Sequence, residues 1–173
     1  MRLFTVILAV LMVGQCLRAD EKENLRPTAE VWFFVAIDCP IANHYVPEMN
    51  RIAAEYQDRG VSFSLIYPNT ALTEEQLAAH RTEYELKIDG RIDRDHSHVK
   101  RAGVTTTPEV AVFDRNGILI YRGMIDNLFT EFGDRRQVAS KRYLRDILKQ
   151  CETERDIPLT FTEPVGCLIE PIK

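Results

Sequence analysis

The sequence predicts an α/β domain with a central mixed sheet flanked by helices, followed by an extended C-terminal tail. Three observations carry this. A continuous apolar run of β-favouring residues, Val31 to Ile37, leads straight into a helical pattern. Strands and helices then alternate, an order that builds parallel strand pairs. Asn116-Gly117 stands between two apolar alternating runs and marks a β-hairpin, which adds antiparallel strands at one side.

Residues 20–30 are polar, carry Pro27 and read as a short leader. The all-apolar character of Val31 to Ile37 suits a strand covered on both faces, with Trp32 and its aromatic neighbours in the core. A helix follows from about Ile41 to Arg59, with Val46, Met49, Ile52 and Tyr56 on its inward stripe and Gly60 at its end. Val61 to Tyr67 reads as the second strand. Thr73 and Gln76 form a capping-box signature, opening a helix to about Leu86 with His80 on its exposed face. The segment from Ile88 to Asp93 has room for a short strand. Asp95 to Ala102 reads as a short helix capped by Asp95 and closed by Gly103, with His96 and His98 at a solvated start. Glu109 to Asp114 and Ile118 to Arg122 are the hairpin strands. Ser140 to Cys151 is the last helix, with Tyr143, Ile147 and Leu148 on one face. Pro158, Pro164 and Pro171 then argue for extended chain. The domain therefore covers residues 31–151 and the tail 152–173, with no internal repeat.

A chain of 173 residues can bury one real core, and 45% hydrophobic with 28% charged residues is the balance of a soluble globule. The net charge of −4 and the lack of a basic block argue against nucleic-acid binding. Arg2, the apolar run Leu3 to Val13 and the absence of acidic residues before Asp20 read as a signal peptide over residues 1–19, cleaved after Ala19. The run is short for a membrane span, and no later stretch is apolar enough for one. A lipid anchor at Cys16 is the competing reading, and bulky Gln15 in front of it counts against that. Export to a periplasmic or extracellular space is expected, where paired thiols oxidise. Three cysteines would then remain, Cys39, Cys151 and Cys167, enough for one internal disulfide in any of three pairings.

Cys39 carries the most distinctive chemical signal. It lies between the end of a buried strand and the start of a helix, where unpaired N–H groups and a partial positive charge stabilise a thiolate. The thiolate is both the nucleophile and the metal-binding form. Asp38 acts the opposite way, because a neighbouring negative charge disfavours a thiolate. The position favours a reactive cysteine over a buried small hydrophobe.

With Cys39 at the first-cysteine position, Pro47 eight residues on and Thr107-Pro108 before the strand starting at Glu109, residues 31–150 resemble the thioredoxin superfamily. The length from Cys39 to Pro108 resembles its redoxin branch. That resemblance implies a thioredoxin-like fold, a cis Thr107–Pro108 bond facing Cys39, and thiol–disulfide chemistry. Thr107 and Pro108 would then border the substrate groove, with Thr107 offering backbone hydrogen bonds. Ala42 stands where the second cysteine of a CxxC would be, and Asp38 where the family's tryptophan would be. The peroxiredoxin pattern of Pro-x-x-x-Thr-x-x before the cysteine is also missing, since Val31 to Asp38 contains neither proline nor threonine. A thiol–disulfide oxidoreductase is therefore favoured over a peroxidase.

The tail can supply the missing sulfur. Cys167 lies sixteen positions after Cys151, a reach of at most about 50 Å, and Gly166 permits close backbone approach. Cys167 is thus the candidate resolving partner of Cys39, and a Cys151–Cys167 staple is the bland alternative, worth roughly 3 kcal/mol of loop closure. A second class of function is copper binding or delivery, as the likeness to Sco-type chaperones would imply. Its ligands would be Cys39, His44 and Cys167, a soft donor set, although Asn43 replaces the second cysteine of their CxxxC. A third is a binding module that keeps the fold without the chemistry. The preferred reading needs no cofactor. Its partners are a protein or small-molecule thiol or disulfide and a redox partner protein.

Overall fold

The structure is a computed structural model and describes residues 27–153 and 156–172. The expected signal peptide and Cys16 lie outside the described residues.

Strand β1 (Ala29–Phe34) is the centre of a six-stranded mixed sheet. It pairs in parallel with β2 (Val61–Tyr67), which pairs in parallel with β3 (Gly90–Ile92). On its other side β1 runs antiparallel to β5 (Glu109–Asp114), which forms the hairpin with β6 (Leu119–Gly123). The alternation of side chains along β1 divides its apolar run between two cores. Val31 and Phe33 face the larger core, while Trp32 and Phe34 face the smaller one with Ile66, Ala111 and Phe113. Burial on both faces is why the run shows no polar positions.

Helix α1 (Pro40–Tyr56) covers the larger core with Ile41, Tyr45, Val46, Met49, Ile52 and Tyr56. A 3-10 turn over Gln57–Arg59 extends it to Gly60, which sits at φ +81°. Helix α2 (Glu74–Glu83) opens on the expected capping box: Gln76 N–H donates to Thr73 Oγ1 at 3.2 Å, and Thr73 N–H donates to Gln76 Oε1 at 2.9 Å. Helix α3 (Ser97–Ala102) closes the smaller core, and the Arg101 guanidinium lies over the rings of Trp32 and Phe113 at 5.0 and 4.7 Å. Helix α4 (Tyr143–Thr153) buries Leu144, Ile147, Leu148 and Cys151. Leu144 thus joins the inward face read from Ile147 and Leu148, and Tyr143 lies at its border.

Several short pieces go beyond the sequence reading. Strands β7 (Phe129–Glu131) and β8 (Asp134–Arg135) form a small second hairpin. The tail is extended as expected, but it is also paired. Its β9 (Thr160–Phe161) joins the sheet edge parallel to β6. Its β10 (Cys167–Leu168) runs antiparallel to β4 (Thr106–Thr107). Among the described residues, no helix is long and apolar enough to cross a membrane.

Candidate active site

The site forms where β1 hands the chain to α1. Cys39 is the N-cap residue of α1, with Pro40 in the first turn, so its side chain sits at the positive end of the helix. Its N–H donates to the Ala36 carbonyl at 3.2 Å, and its own carbonyl accepts the first helical hydrogen bond, from Asn43 N–H at 3.0 Å. The side chain is fully buried, 0% exposed. Cys39 Sγ donates to the Thr107 carbonyl at 3.1 Å, and the Thr107–Pro108 bond is cis, facing Cys39 as the resemblance implied.

The tail brings the second sulfur. Cys167 Sγ donates to Cys39 Sγ at 2.9 Å, so the tail sets the Cys167 thiol directly against the Cys39 thiol. Cys151, the alternative partner, is buried in the larger core on α4, and the Cys167 sulfur lies against Cys39. Gly166 makes this approach feasible. A Cβ there would fall against the Thr107 carbonyl group, 2.7 Å from its carbon, with Pro108 Cδ at 3.1 Å behind it. Beyond it, Ile169 N–H donates to the Thr105 carbonyl at 2.9 Å, continuing the β10–β4 pairing. The backbone edge of Thr107, expected to meet a substrate, is therefore taken by the protein's own tail.

The two sulfurs are not equivalent. Burial pushes the Cys167 thiol up to about 12, helped by its hydrogen bond to Cys39, the charge of Cys39 and that of Asp38. Cys167 is nonetheless the partly exposed one, and Cys39 lies beneath it. Glu109, directly after Pro108, is 2% exposed, and its Oε2 accepts the N–H groups of Thr105 and Thr106 at 2.9 and 3.2 Å. Burial raises its pKa against the pull of those two donors. It pins the turn that carries β4, and sequence reading had taken it only as a strand residue.

A second network holds the loop before Cys39. Asn43 Nδ2 donates to the Ile37 carbonyl at 3.0 Å, which turns its Oδ1 toward His80 Nε2 at 2.9 Å. His80 Nε2 therefore carries the proton, and Nδ1 accepts from the Tyr67 hydroxyl at 3.0 Å. The expectation that His80 lies on an exposed helix face is corrected: it is 5% exposed, because α2 packs that face over β2 and the start of α1. Burial lowers its pKa below 6.5, with Glu83 pulling weakly the other way. Between the folded value and 6.5 the unfolded chain thus binds more protons, so His80's contribution is complete above 6.5 and is lost as pH falls. The urea unfolding midpoint is expected to drop between pH 7 and pH 5 more steeply for the unaltered chain than for His80→Gln; equal slopes would remove His80 from the network.

The other histidines also differ from the sequence reading. His96 is 4% exposed rather than solvated, at φ +55°, and its Nε2 is 2.7 Å from the Pro68 carbonyl. His98 pairs with Asp93 at 2.9 Å and lies 4.8 Å from the Trp32 ring. The expected cap at Asp95 is corrected: the N-cap is His96, Asp95 Oδ1 accepts Ser97 N–H at 3.0 Å, and the Asp93 carboxylate accepts the N–H groups of His98 and Val99 at 3.2 and 2.9 Å. His44 is exposed on α1 with its ring against Phe129, and burial and Arg135 lower its pKa against Asp126. The copper set of Cys39, His44 and Cys167 is thus not gathered: among the described residues, no group of three or more His, Cys, Asp or Glu is arranged to hold a metal ion. Beside His44, the Tyr45 hydroxyl donates to Asp126 Oδ1 at 2.6 Å, which ties α1 to the segment that follows β6.

A mixed sheet with a buried N-cap cysteine facing a cis-proline defines a thioredoxin-like protein. The redoxin family model matches residues 27–135, and the chain belongs to that family. Cys39, Thr107 and Pro108 fall within the matched segment, and Cys167 lies beyond it. None of the curated proteins matches the chain in sequence. Among solved structures, the chain is similar to a hypothetical protein of Sinorhizobium meliloti 1021, at 23% identity over 83% of this chain and 80% of that one, with a TM-score of 0.71. An uncharacterized conserved protein from Geobacillus kaustophilus is 25% identical over 83% and 77%, with a TM-score of 0.70. The dsbF protein of MTB, solved in mixed oxidized and reduced forms, is 21% identical over 75% and 84%, with a TM-score of 0.53. These likenesses establish the fold.

Proposed function

We propose that this chain is an exported thiol–disulfide oxidoreductase whose redox couple is Cys39 and Cys167. The observation that carries the reading is the 2.9 Å approach of the two sulfurs at the N-terminus of α1, opposite the cis Thr107–Pro108 bond. Cys39 supplies the thiolate nucleophile, since the helix end favours negative charge at its sulfur. Cys167 is the partner sulfur that closes the couple. Thr107 and Pro108 border the substrate groove, and Thr107 serves first as the pairing edge for β10. The substrate is a thiol or disulfide of a protein or small molecule, and a separate redox protein returns the couple to its starting state.

Export fits this chemistry, because a compartment outside the cytosol lets the couple oxidise. Peptide mapping after mild oxidation is expected to find Cys39 joined to Cys167. A Cys151–Cys167 bond would overturn the reading and make the tail a staple.

A further inference from the structure

We propose that substrate thiols enter this couple at Cys167, through a cavity roofed by the tail, and that this entry selects thiols carrying a positive charge. The inference rests on the Cys39–Cys167 couple and reverses the order that the position of Cys39 suggests. A cavity of about 270 Å³ opens beside the site, lined on one side by Asp38, Asn69 and His96 and on the other by the tail from Cys167 to Ile172. Cys167 reaches it and Cys39 does not: Cys39 is 0% exposed, beneath Cys167 and against Thr107. An incoming sulfur must approach along the axis of the bond it breaks, and in the oxidised couple only the Cys167 sulfur offers that approach from solvent.

The chemistry of the leaving sulfur agrees with the geometry. A substrate thiolate attacks Cys167 Sγ and forms a substrate–Cys167 disulfide. The Cys39–Cys167 bond breaks, and its electron pair leaves on Cys39, at the positive end of α1. A second substrate thiolate then attacks the substrate sulfur of that mixed disulfide and releases Cys167, which takes up a proton. The substrate dithiol is oxidised to a disulfide, and the couple gains the two electrons as the Cys39 thiolate and the Cys167 thiol. The high proton affinity of Cys167 keeps it protonated once released.

The walls set the substrate class. Two carboxylates, Asp38 and Glu170, line the cavity, and both are exposed at its mouth. Among the described residues lining it there is no lysine or arginine. The remaining tail wall of Leu168, Ile169, Pro171 and Ile172 is apolar. A thiol beside an ammonium or guanidinium group meets attraction there, and one beside a carboxylate or sulfonate meets repulsion.

The test uses the oxidised full chain and two small thiols of opposite charge, cysteamine and 2-mercaptoethanesulfonate. Rates are corrected for the thiolate fraction of each. Cysteamine is expected to open the couple roughly 3- to 10-fold faster, an advantage that shrinks with added salt. Asp38→Asn with Glu170→Gln should bring the two rates together. Acid quenching within the first turnover, followed by alkylation and peptide mapping, should place the cysteamine adduct on Cys167 and the alkyl label on Cys39. An adduct on Cys39, or a charge preference unchanged in the double variant, overturns the inference while leaving the couple intact. Failure of the Cys39–Cys167 bond to form on oxidation would instead remove the couple, and the inference with it.

Discussion

Replacing Cys39 by serine is expected to bring disulfide exchange down to the uncatalysed rate, while Cys151→Ala keeps the activity of the unaltered chain. The difference follows from where the sulfurs sit. Cys39 and Cys167 are 2.9 Å apart, and reduction of a disulfide needs both, because the mixed disulfide captured on Cys167 is discharged by the Cys39 thiolate. With serine at position 39 the Cys167 sulfur can still be captured by a small disulfide, but no neighbouring thiolate displaces the adduct. The variant should therefore accumulate a stable mixed disulfide, visible as a mass increase that reductant removes. Cys151 is held on the inward face of α4 in the larger core, away from the Thr107–Cys167 pairing. Steady-state reduction of a fluorescent peptide disulfide, read beside intact mass, separates the outcomes. An active Cys39→Ser protein overturns the mechanism, and an inactive but folded Cys151→Ala protein does the same.

The central elements were legible because each has a strong local signature. The β1 run has no polar positions because both of its faces are covered, and the Thr73–Gln76 box names the start of α2 by its own hydrogen bonds. Cys39 drew attention by its place between a strand end and a helix start, and Pro47 with Thr107-Pro108 located the candidate site through the resemblance to the thioredoxin superfamily. What escaped were contacts that carry no period. Strands β4, β9 and β10 are two residues each, too short for alternation to show. His80 and His96 read as exposed because polar residues in short helices usually are, and only the packing of α2 and the Pro68 carbonyl decide otherwise. The choice between Cys39 and Cys151 as the partner of Cys167 depended on a long-range approach. Gly166 was its only local trace.

Gly166→Ala is expected to lift the tail from the active site and expose Cys39 without unfolding the domain. A methyl group at this position would meet the carbonyl of Thr107 and the ring of Pro108. Thr107 cannot yield easily, since its carbonyl accepts the Cys39 thiol and the preceding Thr105 and Thr106 are tied to the buried Glu109 carboxylate. The strain therefore falls on the tail, held here by the two-residue pairing of β10, the hydrogen bond from Ile169 and the Cys167 thiol on Cys39. Overpacking of this kind costs typically about 1–3 kcal/mol. Placed on an open–closed equilibrium, that is roughly a 5- to 150-fold increase in the open population. Cys39 should be alkylated faster in the reduced variant by a similar factor, with far-UV circular dichroism unchanged because the sheet and α1 do not depend on Gly166. Closure of the Cys39–Cys167 disulfide should slow in parallel, since the variant holds the two sulfurs together for less of the time. Unchanged alkylation of Cys39 in a folded Gly166→Ala protein would mean that the tail is anchored elsewhere, and the Thr107 edge would lose its place as the tail's docking strand.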